Sequence, residues 1–403
     1  MINSIRESAL RHRILTMTFI CVIELAFLLY CVSQLSISYY EASIFFEKNS
    51  AIGYIVRASC AIFGQNDFAL RAPMVIFHVL SVILLYKISK FYLKLEFDRV
   101  VAVVLFILLP GTLASAIVVN NAGLCIMLTL LALYLFHTDR KILFYPLFCA
   151  IFFIDGDFLM LYLAFFIYAM YRKNAPLAWV SALLFLLSLY VFGFDTSGRP
   201  SGHFVDTFGV FAAVFSPFVF VFFVYTLYRI WIKEKKELLW FICISSFCFC
   251  MVVSIRQRIE LEEFLPFCII ATPLMVRMFF SSYRVRLPQF RKKYKIFTGL
   301  VVVFLGINWL CLVFNPIFYI FLNEPARHFA YKFHVAKELA GEIKAAGYQD
   351  INVENQRLGL RLKFYGVNVS SKSQNLLVSS DKNAKFKIEK FGKEIAKFEV
   401  EGL

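Results

Sequence analysis

The sequence predicts a polytopic α-helical membrane protein that carries a small C-terminal α/β domain. Hydrophobic residues make up 60% of the 403 residues and charged residues only 17%, whereas soluble domains carry about 25% charged residues. The apolar residues fall into runs that are mostly long enough to approach or cross a bilayer. Lys and Arg concentrate in every second connection between these runs, which is the pattern of cytoplasmic loops.

The apolar runs number about eleven, and they contain most of the chain before residue 323. The segment before the first run, MINSIRESALRHR, lacks the small-residue cleavage site of a signal peptide, so the first run is predicted to be a retained span. The predicted runs are 14–35, 73–92, 100–119, 122–136, 142–154, 158–171, 177–194, 208–232, 239–254, 264–280 and 296–322.

The basic clusters give the predicted orientation. They precede the first run and follow the second, and they recur in alternate connections as far as Arg284 to Lys295. The N-terminus is therefore predicted in the cytoplasm, and the other connections outside. The formal net charge of +15 is explained by this topology, so nucleic acid is not an expected partner. Nearly all of the ten Cys lie in apolar runs, which favours packing over a metal or disulfide role.

The first outer connection, residues 36–72, is too polar for a span and too apolar for an ordinary loop. Its stretch AIGYIVRASCAIF has one apolar side and suits a helix lying in the membrane interface. Just before it, Tyr40 and Glu41 are predicted at the edge of the bilayer. A partly shielded carboxylate there is a candidate base or cation ligand. The alternatives are a solvated loop acid or a helix-end partner for Arg57 or Arg71.

Residues 323–403 are predicted as a separate α/β domain outside the membrane, following a transmembrane domain of residues 1–322. Pro325 is expected to open a helix that ends at Gly347. Alternating apolar residues then predict strands at 351–353, 376–378, 386–388 and 395–400. The domain has no GxGxxG or P-loop sequence, so no nucleotide site is indicated.

Other predicted outer connections carry candidate binding residues, each with an alternative. Arg256 and Arg258 suit a phosphate, because guanidinium groups bind it bidentately, but Glu260, Glu262 and Glu263 are rival partners. Asp155 and Asp157 suit a cation or sugar hydroxyls, although they also suit capping of the following helix. His203 is a candidate for proton transfer or phosphate contact. The acid inside the first span, Glu24, is expected to be neutral and hydrogen-bonded, with no basic residue at its depth.

The order of several motifs resembles the GT-C superfamily of membrane glycosyltransferases, in the branch of protein O-mannosyltransferases and the lipid A aminoarabinose transferase. These motifs are the acid of the first outer loop, GQNDFALRAPMVIFHVLSVILLYKISKFY, Pro110-Gly111, Asn120-Asn121, RQRIELEEFLPF and the terminal domain. The resemblance implies transfer of a sugar from a polyprenyl-phosphate-linked donor to a lipid, glycan or protein acceptor at the periplasmic face of the bacterial inner membrane.

The same resemblance maps the family's loop acid onto Glu41, where the family usually has Asp. A second acid is replaced by Asn120 or Asn121, which leaves the binding of a divalent cation open. We therefore expect Glu41 to be the catalytic base and Arg256 with Arg258 to bind the donor phosphate in a shared pocket. Weaker candidates for substrate binding are Tyr40, Asn121, Asp155, Asp157 and His203.

Two other classes of protein fit the composition. A polysaccharide ligase or polymerase also pairs many spans with outer Arg and His, but it normally has a large loop between two late spans. A transporter of lipid-linked sugars is expected to have polar residues and broken helices near the middle of the membrane.

Overall fold

The computed structural model describes residues 2–193, 202–256, 263–348, 350–370, 373, 375–379 and 385–402, with side chains from residue 13 onward. The chain forms two compact units. The helical unit contains Met1–Leu25, Met74–Ala116 and Asn120–Trp309, and the mixed unit contains Ala26–Pro73, Ile117–Val119 and Leu310–Leu403. The mixed unit thus joins the first outer connection to the C-terminal domain, whereas the sequence suggested a division between residues 322 and 323.

All eleven predicted apolar runs are helical over the residues that the structure describes. The α-helices are α1 Ile2–Gln34, α2 Tyr39–Phe46, α3 Ala51–Phe63, α4 Asp67–Tyr92, α5 Glu96–Leu108, α6 Pro110–Ile117, α7 Ala122–His137, α8 Lys141–Ala150, α9 Leu159–Tyr171, α10 Ala175–Phe192, α11 Phe204–Phe215, α12 Pro217–Lys233, α13 Leu238–Ser254, α14 Leu265–Ile269, α15 Thr272–Val285, α16 Pro288–Val313, α17 Ala336–Ala345 and α18 Gln356–Phe364.

Five described segments are long and apolar enough to cross a membrane, and the number rises to seven if two bent helix pairs each count as one span. Four more of the predicted runs form apolar helices shorter than 18 residues. The count of about eleven spans, and their orientation, therefore stay predictions. The five segments are Arg13–Gln34, Asp67–Tyr92, Ala175–Phe192, Leu265–Val285 and Pro288–Val313.

Proline accounts for both bends. Helices α5 and α6 meet at 63°, and α11 and α12 meet at 104°. Pro110 and Pro217 each begin the second helix of a pair, where a missing amide proton is tolerated, and each keeps the preceding residue out of helical geometry. Beside the first bend, a Cβ added at Gly111 would overlap the side chain of Val214 and lie 2.9 Å from Cδ1 of Ile269, so α6 and α11 pack in close contact.

Within the helical unit, the helix ends that carry the basic connections contact one another. Arg284 at the end of α15 pairs with Asp98 in the first turn of α5 at 2.5 Å, and Arg229 near the end of α12 donates to Ser282 at 2.7 Å. Arg13 of α1 also pairs with Glu96 of α5. This grouping is what alternating cytoplasmic loops require, since helix ends on one side of a membrane must be neighbours.

The mixed unit contains a five-stranded sheet in the order β2-β1-β3-β5-β4. Strand β1 pairs in parallel with β2 and β3, whereas β5 is antiparallel to β3 and β4. The strands are β1 Asp350–Val353, β2 Asn368–Val369, β3 Asn375–Ser379, β4 Phe386–Lys390 and β5 Lys393–Gly402. The four predicted strands are confirmed. Strand β2 and helix α18, which begins where the side chain of Asn355 caps the amide of Arg357, were not predicted.

The predicted helix after Pro325 is wrong in its first half. Short 3₁₀ turns occupy Pro325–Arg327 and Tyr331–Phe333, and the α-helix begins only at Ala336. The reason lies in two contacts of His328: its Nδ1 accepts the backbone N–H of Ala330 at 3.0 Å, and its Nε2 donates to the carbonyl of Asn315 at 3.0 Å. These bonds occupy backbone groups that a helix would otherwise need. The helix ends as predicted before Gly347, whose φ of 81° suits glycine.

Candidate functional site

Glu41 is held at the start of helix α2 by a capping box. Ser38 precedes the helix, and its Oγ accepts the backbone N–H of Glu41 at 3.3 Å. In return, Oε2 of Glu41 accepts the backbone N–H of Ser38 at 2.8 Å. This reciprocal arrangement directs the carboxylate back across the helix N-terminus, where it is fully buried.

Three further donors fill the remaining acceptor positions of Glu41. Arg71 donates from Nε to Oε1 at 3.1 Å and from a terminal nitrogen to Oε2 at 2.9 Å, and the backbone N–H of Val119 donates to Oε1 at 3.0 Å. A carboxylate has about four lone-pair positions, and each is used here. Of the two predicted ionic partners, the structure selects Arg71, because Arg57 instead donates to the carbonyls of Phe45 and Lys48.

Arg71 also fixes the chain that leads into α2. Its terminal nitrogens donate to the carbonyls of Leu35 at 3.0 Å and Ser36 at 2.9 Å. It lies 3.7 Å from Asp67, one turn earlier on α4. The guanidinium has no exposed surface, so its charge is balanced entirely by these protein groups. This is a geometry that stabilises a loop against a helix.

Asp67 links the same network to the C-terminal segment of the mixed unit. It accepts a hydrogen bond from the hydroxyl of Tyr365 at 2.6 Å and pairs with Lys337 at 2.9 Å. Burial, reinforced by the charge of Asp67, raises the pKa of Tyr365, so its hydroxyl stays protonated and donates. We call Glu41, Arg71, Asp67, Tyr365 and Lys337 the Glu41 cluster. Tyr40, by contrast, is exposed, with Nζ of Lys48 at 4.8 Å from its ring centroid.

The helical unit brings three predicted site residues together. Nδ2 of Asn121, before helix α7, donates to Asp155 at 2.5 Å and lies 3.4 Å from Oδ2 of Asp157. Asp155 also accepts the backbone N–H of Asp157 at 3.4 Å, which confirms the predicted capping. We call Asn121, Asp155 and Asp157 the Asp155 cluster. Asp155 and Asp157 are both partly exposed residues.

The acid of this cluster with a shifted pKa is Asp157. It lies in a connection outside the predicted spans, and burial, together with the charges of Asp155 and Glu263, raises its pKa to about 8. Burial and a neighbouring negative charge both disfavour the ionised form of a carboxyl group, so Asp157 holds its proton to a higher pH than an exposed acid does.

His203 and Arg256 belong to connections that meet in the same helical unit. The backbone N–H of His203 donates to the carbonyl of Ser254 at 3.0 Å, and its Nδ1 lies 3.4 Å from Asp206. The side chain of Arg256 is exposed and available to an anion. Arg258, Glu260 and Glu262 lie outside the described residues, so the predicted pocket of Glu41 with Arg256 and Arg258 stays a prediction.

The sequence reasoning missed the partner of Glu24. We expected no basic residue at its depth, and this is wrong: Nε2 of His78, on helix α4, makes a very short contact with Oε1 of Glu24, and both side chains are buried. The signal was present in the sequence, since a polar residue inside an apolar run usually pairs with another. His78 also stacks on Phe106 with the ring centroids 5.7 Å apart.

A cation site finds little support. Carboxylate and amide oxygens such as those of the Asp155 cluster are ligand types for hard divalent cations. Within the described ranges, however, no group of three or more His, Cys, Asp or Glu side chains is arranged to hold a metal ion. We derive no chemical step through a cation.

Part of the chain is similar to a known protein family. No curated protein matches the chain. Residues 48–193, about a third of the sequence, match the family of dolichyl-phosphate-mannose-protein mannosyltransferases. The matched segment begins seven residues after Glu41, and it includes Arg71 and the whole Asp155 cluster. Over this segment the chain is similar to that family of membrane glycosyltransferases, and the match supports the resemblance drawn from the sequence.

Proposed function

We propose that the protein transfers a sugar from a polyprenyl-phosphate-linked donor to a lipid, glycan or protein acceptor at the periplasmic face of a bacterial inner membrane. The observation that carries the proposal is the family match over residues 48–193, whose description names an isoprenoid-phosphate sugar. The Asp155 cluster supports it, because it places two partly exposed acids, one of them with a raised pKa, within the matched segment.

In the proposed reaction, Asp155 accepts the proton of the acceptor hydroxyl while that oxygen attacks the anomeric carbon. Asn121 keeps the carboxylate oriented, and the protonated Asp157 donates to a sugar hydroxyl. A positioned base of this kind contributes about 10²- to 10⁴-fold to a rate. Attack on the face opposite the departing phosphate inverts the anomeric centre.

The bond between the anomeric carbon and the phosphate oxygen breaks in the same step, and its electron pair stays on the phosphate. Arg256 is the proposed partner of this phosphate, together with Arg258 and with His203 from the neighbouring connection. Fixed positive charge at a leaving phosphate stabilises the transition state more than the ground state, because the negative charge grows as the bond breaks.

The proposed role of Glu41 changes with its geometry. As a base it would have to release one of its four donors first, whereas as it stands it fixes the N-terminus of α2 to Arg71 and Val119. We therefore propose that Glu41 is a positioning residue. Its role as the catalytic base is the alternative that the same experiment decides.

The experiment compares glycolipids and glycoproteins by mass spectrometry in cells with and without the gene, and then measures transfer in membranes for single variants. Asp155→Asn should lower transfer by about 10²-fold or more, and Arg256→Ala by about 10²-fold. Asp139→Asn is the matched control, because Asp139 is 80% exposed and its ion-pair partner, Lys141, is exposed too. Full transfer by Asp155→Asn, expressed as well as the control, would refute the role of Asp155.

Glu41→Gln separates the two roles of Glu41. If it positions α2, the variant should lose thermal stability while the folded fraction keeps transfer within about tenfold. If it is the base, transfer should fall by about 10²-fold or more without a matching loss of stability.

A transporter without transfer chemistry is the second candidate, and the two bent helix pairs favour it, since broken helices mark many transport sites. At the first bend, the buried hydroxyl of Thr112 bonds the carbonyls of Phe106 and Leu109. The carbonyl groups exposed by the break are thus already hydrogen-bonded, which does not favour a transport site there. Movement of labelled donor across proteoliposomes with no glycosylated product would favour transport.

A further inference from the structure

The segment from Arg284 to Lys295 is unusual for its unbalanced charge. It joins the candidate spans Leu265–Val285 and Pro288–Val313, so it lies next to the ends of two apolar helices. It contains six Lys or Arg, and the sequence has no Asp or Glu between Glu263 and Glu324. No acidic residue near it in the sequence therefore balances its positive charge.

The three arginines build the turn. Arg291 donates to the carbonyls of Arg286 at 2.8 Å and Arg284 at 3.2 Å, which closes the connection on itself. The guanidinium of Arg286 lies 4.3 Å from the ring centroid of Tyr294, and that ring stacks on Phe279 at 5.2 Å. Arg284 pairs with Asp98. These contacts make the segment an ordered turn that holds its shape.

The three lysines of the segment, Lys292, Lys293 and Lys295, are exposed. Among the residues that the structure describes, none of them has an acidic partner. Other lysines of the helical unit do have partners: Lys141 pairs with Asp139, and Lys87 lies over the ring of Tyr134. The segment therefore presents three exposed ammonium groups to its surroundings.

Apolar side chains project from the same turn. Val285 is 86% exposed, Leu287 60% and Phe290 56%. Exposed apolar side chains between two span ends, interleaved with lysines, match the boundary between acyl chains and headgroups. The combination of charge and apolar surface fits the negatively charged headgroups of phospholipids.

We infer that this turn is a binding site for anionic phospholipids, in which Lys292, Lys293 and Lys295 contact the headgroup phosphates while Val285, Leu287 and Phe290 enter the acyl region. The site is independent of sugar transfer. It orders a shell of anionic lipid around the ends of α15 and α16 and weakens with rising salt, because exposed charges are screened.

The test uses the full-length protein in mild detergent with equal amounts of dioleoyl-phosphatidylglycerol and dioleoyl-phosphatidylcholine, which share their chains and differ in headgroup charge. Native mass spectrometry measures the ratio of the two lipids that remain bound. The wild type should retain phosphatidylglycerol preferentially, and the Lys292→Gln, Lys293→Gln, Lys295→Gln triple variant should lower that preference by about tenfold, since each lysine near an anionic surface adds to the attraction.

Two control variants keep the inference falsifiable. Arg at all three positions keeps the charge and should keep the preference. Gln at Lys332, Lys344 and Lys385, in the C-terminal segment, removes the same charge elsewhere and should leave the preference unchanged. An unchanged preference in the first triple variant, or an equal loss in the control triple variant, overturns the inference. So does displacement of phosphatidylglycerol by inorganic phosphate at constant ionic strength, which would show a free-anion site.

Discussion

Glu41 and Asp155 were both predicted as acids of outer connections, yet their surroundings are opposite. Glu41 is fully buried and receives hydrogen bonds from an arginine and two backbone amides. Asp155 is partly exposed, and its partners are an amide side chain and a second acid. In the part of the chain that the structure describes, no Lys or Arg pairs with Asp155 or Asp157.

The difference teaches what each acid is suited to do. A buried carboxylate whose acceptor positions are all used must lose a hydrogen bond before it can contact a substrate, so it contributes mainly to structure. A partly exposed pair of acids, one of them with a pKa raised to about 8, is better suited to proton transfer near neutral pH. The following variants test this division, from the largest expected effect to the smallest.

Arg71→Met should give the largest loss of stability. It removes the cation beside Glu41 and leaves this buried carboxylate without a charge partner, which costs about 3–5 kcal/mol. Asp67 keeps its contacts with Lys337 and Tyr365. Thermal unfolding followed by size-exclusion fluorescence in detergent measures the effect. Arg57→Met is the matched control, because Arg57 is partly exposed and its partners among the described residues are backbone carbonyls and the ring of Tyr54.

A second variant shows whether the cost comes from the uncompensated charge. Adding Glu41→Gln to Arg71→Met removes the orphaned carboxylate, so the double variant should be more stable than Arg71→Met alone. Equal stability of Arg71→Met and Arg57→Met would contradict the structural role assigned to the Glu41 cluster.

The sequence was informative wherever periodicity or composition decides the structure. The eleven apolar runs became helices, and the strands 351–353 and 395–400 were confirmed because alternation of apolar residues follows directly from a half-buried sheet. The amphipathic helix α3 also follows from its pattern. In α3, Tyr54 and Ile62 are exposed, and Arg57 is partly exposed.

What the sequence could not show was the choice among long-range partners. Arg71 and Arg57 were equal candidates for Glu41, and only the packing of α4 against the chain after α1 selects Arg71. Likewise, Asn121 and Asp155 are 34 positions apart, and each was plausible alone. The His328 contacts that replace a helix turn depend on Asn315, 13 positions away. No local pattern encodes such pairs.

Gly111→Ala tests the close approach of helices in the unit that carries the Asp155 cluster. The added methyl would overlap Val214, and overpacking of this kind costs about 1–3 kcal/mol. Val214→Ala in the same chain should recover part of that loss. Gly209→Ala is the control, since a Cβ there meets nothing within 4 Å. A loss of stability in Gly209→Ala equal to that in Gly111→Ala would contradict this packing.

The pH dependence of stability tests the raised pKa of Asp157. In the unfolded chain Asp157 releases its proton near its ordinary pKa of 3.8, whereas in the folded protein it keeps the proton up to about pH 8. The folded state therefore binds more protons between these values, and stability should fall as pH rises from about 4 to about 8. Melting temperatures of the wild type and Asp157→Asn at pH 5, 7 and 9 check this.

Asp157→Asn should show a flatter dependence, because the amide cannot ionise. Asp139→Asn should keep the wild-type slope, since its carboxyl is exposed. If the melting temperatures of Asp157→Asn and the wild type fall equally between pH 5 and pH 9, the pKa of Asp157 is not raised by folding.

Lys337→Gln should have the smallest effect on stability, because Lys337 lies at the exposed edge of the Glu41 cluster. The side chain of Lys337 is 47% exposed, whereas that of Asp67 is 3% exposed, and a pair with one exposed partner contributes about 0–1 kcal/mol. Asp67 keeps its bond from Tyr365, so no buried acid is orphaned. Tyr365→Phe is the comparison: it removes that donor and also the acceptor of the Ile37 amide, which costs about 1–3 kcal/mol. Thermal unfolding should therefore show a larger loss of stability for Tyr365→Phe than for Lys337→Gln. The reverse order would mean that the ammonium group of Lys337, and not the buried hydroxyl of Tyr365, holds Asp67 in place.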